Sequence, residues 1–595
     1  MTGRNWQVRQ KVLATTRRQF VQGLTVGGVL TGLGAWSPLR ATAAGVTSAE
    51  LRGAEFDLSV GETAVNLTGR ATVGTVVNGT LPGPVLRWRE GDSVTLRVRN
   101  TLDVETSIHW HGLLLPAEMD GVPGLSFHGI APGETFTYRF DARQNGTYWY
   151  HAHSGFQEQA GVYGAIVIEP REREPFTYDR EHVVLLSDWS DRDPLDLYRL
   201  LKRQPGYFNY NDRTLGDFVR DSRRDGVRPT LSERLAWGRM RMKPSDLADI
   251  GGHGYTYLLN GAAPAANWTG LFEPGERVRL RIINGSAMSI FDVRIPGLTM
   301  TVVAADGQYV RPVDIEEFRL SAAETLDVLV EPKGADAFTI FAQSIDRAGY
   351  ARGTLAVAEG ASAAVPELDE VAYLTMADMG HGGVSHAAAA PAAHDAHDHA
   401  EGTGAQAHPR SEAGNPGVDM QAATPASRLD DPGVGLRNNG RRVLTYADLR
   451  SAFDDPDGRV PDRTIELHLT GHMERFVWSF DGIPFSGSEP IVLRHGERVR
   501  FVLVNDTAME HPIHLHGLWS DLEDDAGEFQ VRKHTISMPP GTRRSFRVTA
   551  DALGRWAFHC HMLYHMEAGM FREVRVGSPD EGGETEREHA EHARG

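Results

Sequence analysis

Cys560 stands between His559 and His561 in "HCHMLYHMEAGM", His559 to Met570, and it is the only cysteine among 595 residues. A lone thiol excludes an intramolecular disulfide framework, so its neighbours point to another use. Thiolate and imidazole are ligands that soft and borderline metals prefer. In an extended strand, residues i and i+2 share a face and i+1 points the other way. The Cys560 side chain is therefore set opposite to those of His559 and His561, on a face where His511 and His565 can join it. Met570 stands at a spacing suited to an axial approach. Two imidazoles, one thiolate and a weak thioether describe a blue-copper electron-transfer site.

Four His-x-His pairs supply a second donor set: His109/His111, His151/His153, His514/His516 and His559/His561. Each pair presents two imidazoles on one strand face. Eight imidazoles exceed the needs of one metal and suit about three, at two or three nitrogens each. A closed structural zinc site, with four ligands, would leave half of them unused. Because His559 and His561 flank Cys560, the two donor sets share one short stretch of backbone.

The elements that must position these groups are strands. Three stretches repeat a Gly-acid turn followed by alternating residues: "GDSVTLRVRN" ending at Asn100, "GERVRLRIIN" ending at Asn284 and "GERVRFVLVN" ending at Asn505. Nine residues after Asn100 and Asn505 come His109 and His514, whereas the same step from Asn284 lands on Val293. "GTYWYHAH" and "GRWAFHCH" correspond likewise, and the middle copy offers "AFTIFAQS". Alternation, frequent Gly and Pro turns and scarce helical periodicity predict an all-β chain of three consecutive Greek-key β-sandwiches. The first and third would carry the metal ligands, and the second would be a spacer. Expected boundaries are 47–172, 173–362 and 441–577. A Met/His-containing low-complexity linker spans 363–440, and a disordered tail spans 578–595.

The first 44 residues read as an export signal: Arg17-Arg18, a glycine-diluted apolar run to Trp36, and small residues at Ala41-Thr42-Ala43. The run is too short and diluted for a membrane anchor. A net charge of −18, with no basic stripe, argues against a nucleic-acid surface.

"HWHG", "HAHSG", "HPIHLHG" and "HCHMLYHMEAGM" resemble the four signatures of three-domain multicopper oxidases. With "HWHGLLLPAEMDGVPG", "LTGHMERFVWSFDG", "INGSAMSIFDVRIPGL" and the twin-arginine signal, the chain most resembles the periplasmic copper-resistance protein A branch. That resemblance implies cupredoxin-like domains and four coppers. His511, Cys560, His565 and Met570 would bind type 1 copper, and His109 and His514 type 2. His111, His151, His153, His516, His559 and His561 would bind the type 3 pair. It implies oxidation of Cu(I) or a small phenol with dioxygen reduced to water, in a folded-exported periplasmic protein, expected to be a monomer. Asp120 matches an acid that assists proton delivery. Met566 occupies a place where laccase-like relatives carry glutamate, which leaves Glu567 as the nearest acid. The alternatives are a general laccase-type phenol oxidase and a non-catalytic exported copper-binding protein. Met376, Met379, His381, His386, His394, His397 and His399 in the linker are either a cuprous-ion collecting site or incidental to a spacer.

Overall fold

The computed structural model describes residues 49–381 and 406–577. The export signal, His386, His394, His397 and His399, and the tail 578–595 lie outside the described residues.

Strands dominate and form six sheets, arranged as three sandwich-like pairs along the chain. The fold is all-β, as the alternating repeats predict, and cupredoxin-like, as the resemblance implies. In each pair, the strand that closes on the repeated asparagine lies between a parallel and an antiparallel neighbour. Ser93–Asn100 pairs parallel with Glu55–Val65 and antiparallel with Thr135–Asp141. Val278–Asn284 and Arg498–Asn505 repeat the arrangement.

The asparagines explain why the repeat keeps them. Asn100 Nδ2 donates to the carbonyls of Val104 and Ile130, both at 2.7 Å, and its Oδ1 accepts from Leu102 N. Asn284 and Asn505 make the same three bonds in their own domains. Each ties the strand end to the loop that leads into the next strand. Truncating one would orphan buried carbonyls, at about 1–3 kcal/mol for each buried group.

The cross-strand register matches the sequence repeat residue for residue. His109 pairs with His151 and His514 with His559, while the second domain places Val293 against Ala342. One backbone frame thus carries imidazoles in two copies and apolar packing in the third.

Helices are few but not absent. Pro194–Arg203, Leu215–Asp225 and Val227–Met240 are inserted between strands of the second domain. Asp193 accepts from Leu195 N, with proline at the first helical position, and Thr214 with Asp217 forms a capping box. These local signals were readable, although the predominant strand pattern hid them.

The structure also narrows the expected linker. Leu374, Met379, Met420, Ala422, Leu429 and Leu436 are buried, so 363–381 and 406–440 pack on the body. Their apolar residues are spaced irregularly and gave no periodic signal. Met379 is fully buried, so its thioether serves packing.

Candidate metal centres

The Cys560 site is assembled from two strands and a short helix. Gly554–Cys560 delivers the sulfur, His511–Leu515 delivers His511, and the helix Leu563–Glu567 delivers His565. Cys560 Sγ lies 3.5 Å from His511 Nδ1 and 3.8 Å from His565 Nδ1, and the two nitrogens are 3.1 Å apart. All three residues are fully buried, as is Met570. The chain returns here because Cys560 N donates to Met570 O and Met570 N to His565 O, both at 3.1 Å.

The outer nitrogens are held as well. Thr507 Oγ1 is 2.7 Å from His511 Nε2, and Asp249 Oδ2 is 2.7 Å from His565 Nε2. With Nε2 carrying the proton towards Asp249, the inward Nδ1 of His565 keeps its lone pair. Trp478 lies against both rings, its centroid 4.2 Å from His565 and 5.1 Å from His511. Burial pushes the Cys560 thiol up and His511 well below its ordinary range. A bound cation is therefore needed to draw off the thiol proton, while the imidazole is ready as a neutral donor.

The second donor set is a cage of imidazoles between the first and third domains. His516 Nε2 meets His559 Nε2 at 3.0 Å, and His561 Nε2 meets His151 Nε2 at 3.2 Å. Three of the four opposite nitrogens already have acceptors; His561 Nδ1 has none. His516 Nδ1 faces Asp120 Oδ2 at 2.8 Å, His559 Nδ1 faces Cys560 O at 2.9 Å, and His151 Nδ1 faces Glu158 Oε2 at 2.7 Å. In the His516–His559 pair, then, lone pair opposes lone pair, which is repulsive without a cation between. His109 Nε2, His111 Nδ1, His153 Nε2, His514 Nε2 and His561 Nδ1 are buried without a hydrogen-bond partner. Burial, with neighbouring imidazoles adding to it, holds His111, His153, His514, His516 and His561 well below the usual imidazole range. This donor set fits metal ions and little else.

The ten histidines and the cysteine expected as ligands come together in these two groups, and Met570 is buried beside Cys560. Asp120 sits where expected: its backbone oxygen accepts from His109 Nδ1 at 2.8 Å while its carboxylate holds His516. Glu567 does not join them. It is exposed, because the short helix turns it away from the cage, and no hydrogen bond or ion pair joins it to these imidazoles. Met566, in contrast, packs beside Val122, Ala557 and Phe571.

Four contributors escaped the sequence reading. Glu158, buried in "GFQEQAG", holds His151. His534 Nδ1 lies 3.2 Å from His111 Nε2, and His534 O accepts from His514 Nδ1 at 2.6 Å. Asp249 and Asp306, from the spacer domain, reach His565 and the amides of His534 and Thr535. His534 and Glu158 had a weak signal as polar residues near ligand motifs. Asp249 and Asp306 had none, since only folding brings them close.

Comparisons with known proteins agree with this geometry. Multicopper oxidase family profiles match residues 59–173, 180–360 and 459–580. The chain is 59% identical to copper resistance protein A of Escherichia coli, over 95% of this chain and 100% of that protein. It is 60% identical to copper resistance protein A of Pseudomonas syringae pv. tomato, over 94% and 99%. Among solved structures, Fet3p, a multicopper oxidase that functions in iron import, superposes with a TM-score of 0.62 at 20% identity, covering 89% of this chain and 91% of its own. The chain belongs to the multicopper oxidase family.

Proposed function

We propose that this chain is an exported, monomeric oxidase of copper resistance, taking single electrons from cuprous ion at the Cys560 site and delivering them to dioxygen at the imidazole cage. The observation that carries this reading is the convergence of Cys560 Sγ, His511 Nδ1 and His565 Nδ1, with both peptide neighbours of Cys560 facing the cage. His511, Cys560 and His565, with Met570 buried beside them, would hold type 1 copper. His109 and His514 would hold type 2. His153, His516 and His559, whose donor atoms lie within 4.8 Å of one another, would hold one type 3 copper, and His111, His151 and His561 the other. When bound, these coppers accept electrons singly at type 1 and reduce dioxygen to water at the trinuclear cluster.

The chain's own residues set up that chemistry. Asp249 and Thr507 fix the two type 1 imidazoles, and Trp478 keeps them dry. Cys560, joined by peptide bonds to His559 and His561, would link the two sites for electron passage once copper is bound. Asp120 accepts hydrogen bonds from His109 and His516, so it holds both rings and stands where a proton can be relayed to the cage. Glu158 sets the tautomer of His151.

Burial favours a small reductant. Neither His511 nor His565 is exposed, and a carboxylate, Asp249, meets the outer nitrogen of His565. A cation suits that entry better than a bulky phenol does. The relatives' copper-resistance role supports the same choice, and the complete donor set disfavours a non-catalytic copper binder. Among the described residues, no helix is long and apolar enough to cross a membrane. Export to the periplasm rests on the twin-arginine segment. Oxygen uptake driven by Cu(I) and by a substituted phenol tests the proposal: kcat/KM should be higher for Cu(I). A preference for the phenol would favour a general laccase.

A further inference from the structure

A third group of donor side chains lies outside both copper sites. His468 is on the strand Arg463–His472, Asp506 follows the strand Arg498–Asn505, Glu412 ends a single 3-10 turn, and His408 precedes that turn. His468 Nδ1 lies 2.6 Å from Asp506 Oδ2 and 3.6 Å from Glu412 Oε1. His408 Nδ1 lies 3.1 Å from Asp506 Oδ2 and 3.3 Å from Glu412 Oε2. The side chains of Glu412 and Asp506 are fully buried and that of His468 nearly so, while His408 is 14% exposed.

Both imidazoles are turned the same way. His408 Nε2 faces Ala422 O at 3.2 Å, and His468 Nε2 faces Glu466 Oε1 at 3.3 Å. His408 Nε2 has an acceptor for its proton, which leaves its Nδ1 directed at the two carboxylates. Although burial pulls the other way, Asp506 and Glu466 hold His468 up at about 10, so a cation binding there would displace the proton on His468 Nδ1. An outer acceptor on one nitrogen with the other turned inward is how metal-binding histidines are held.

Charge sharpens the point. Among the described residues, neither Glu412 nor Asp506 has an ion pair with lysine or arginine; the imidazoles are their only ion-pair partners. Glu412 Oε1 is buried and has no hydrogen-bond partner. Two buried carboxylates need either protons on the neighbouring groups or one divalent cation. The four separations run from 2.6 to 3.6 Å and engage both oxygens of Glu412, so a bound ion would take the place of the short His468–Asp506 hydrogen bond. The donors are two nitrogens and two carboxylates, with no sulfur, which suits a divalent borderline ion and not cuprous ion.

We propose that His408, Glu412, His468 and Asp506 form a further divalent-cation site, distinct from the four coppers of the family, whose N/O donor set would bind Cu(II) more tightly than Zn(II) by the general affinity order of divalent metals. The site adjoins the type 1 surroundings through the chain itself, since Asp506 precedes Thr507, whose hydroxyl is 2.7 Å from His511 Nε2. It lies beside His408, where the described chain resumes after the histidine-rich stretch.

Metal counting on the full-length, copper-loaded protein decides the matter. After equilibration with Cu(II) and desalting, elemental analysis should find one equivalent per chain beyond the four. Electron paramagnetic resonance should add one nitrogen-coupled Cu(II) signal. Zn(II) given first should fill the site and then be displaced by Cu(II). His408→Ala, at a part-exposed position, and the near-isosteric Asp506→Asn should each lose this equivalent while the blue band stays unchanged. The unchanged band separates failure of this proposal from failure of the type 1 assignment. No extra equivalent in the parent protein, or one that survives both substitutions, would overturn the proposal and leave a proton-neutralised ion-pair cluster.

Discussion

Asp249 Oδ2 lies 2.7 Å from His565 Nε2, so a carboxylate of the domain without copper ligands orients an imidazole of the Cys560 site. The second domain is thus more than a spacer. Asp249→Asn keeps the shape but removes the anion that strengthens the Nε2–H bond. Losing such an outer partner typically costs about 10- to 100-fold in activity or metal affinity. Steady-state Cu(I) oxidation should fall in that range, with a smaller effect on an outer-sphere electron donor. Equal losses for both donors would mean that Asp249 only supports the fold.

Asp120 joins His109 to His516 across the domain interface. Asp120→Asn should leave the type 1 colour intact and slow dioxygen reduction by about 10- to 100-fold. Anaerobic reduction of type 1 by Cu(I) should keep its rate, and reoxidation by dioxygen should slow. A slower first step with normal reoxidation would remove Asp120 from the cage chemistry.

Met570 is buried beside Cys560, and its peptide group bonds to both Cys560 and His565. Replacing a weak axial thioether by leucine should raise the type 1 potential and preserve the blue colour. Redox titration of Met570→Leu checks this, and an unchanged potential would show that Met570 is not axial.

Copper removal should make stability strongly pH-dependent. The buried imidazoles of His111, His151, His153, His511, His514, His516, His559 and His561 are held below their ordinary range by desolvation, His559 at about 3. Below about pH 6.5 the unfolded chain binds protons that the folded copper-free chain refuses, so stability falls as pH falls. Each such group contributes up to about 1.4 kcal/mol per pH unit there. Melting temperatures of copper-free and copper-loaded protein, compared from pH 7.5 to 5.5, should diverge steadily. Parallel curves would contradict the neutral, lone-pair-bearing cage.

How much of this was legible in the residues depends on distance along the chain. His109, His514 and their partners could be found because a strand repeats every two residues and because Asn100 and Asn505 mark the register. Cys560, His565 and Met570 lie within one short stretch, so their spacing alone described a site. Glu567 shows the limit: its nearness in sequence to His565 suggested a role, but the turn of a single short helix sent it to solvent. Asp249 and Glu158 show the converse, as nothing local distinguishes them from other acids until packing brings them to an imidazole. The linker gave a mixed result because Leu374 and Met420 pack without any periodic pattern.

The central claim is that Cys560 binds a copper that receives electrons for the cage. Optical absorption of copper-loaded Cys560→Ser, with copper counted in the same sample, tests it most directly. The thiolate-to-copper band and oxidase activity should both vanish, with most of the other copper retained and the fold intact. A blue band that persists in Cys560→Ser would contradict the account, since the chain has no second cysteine to supply it.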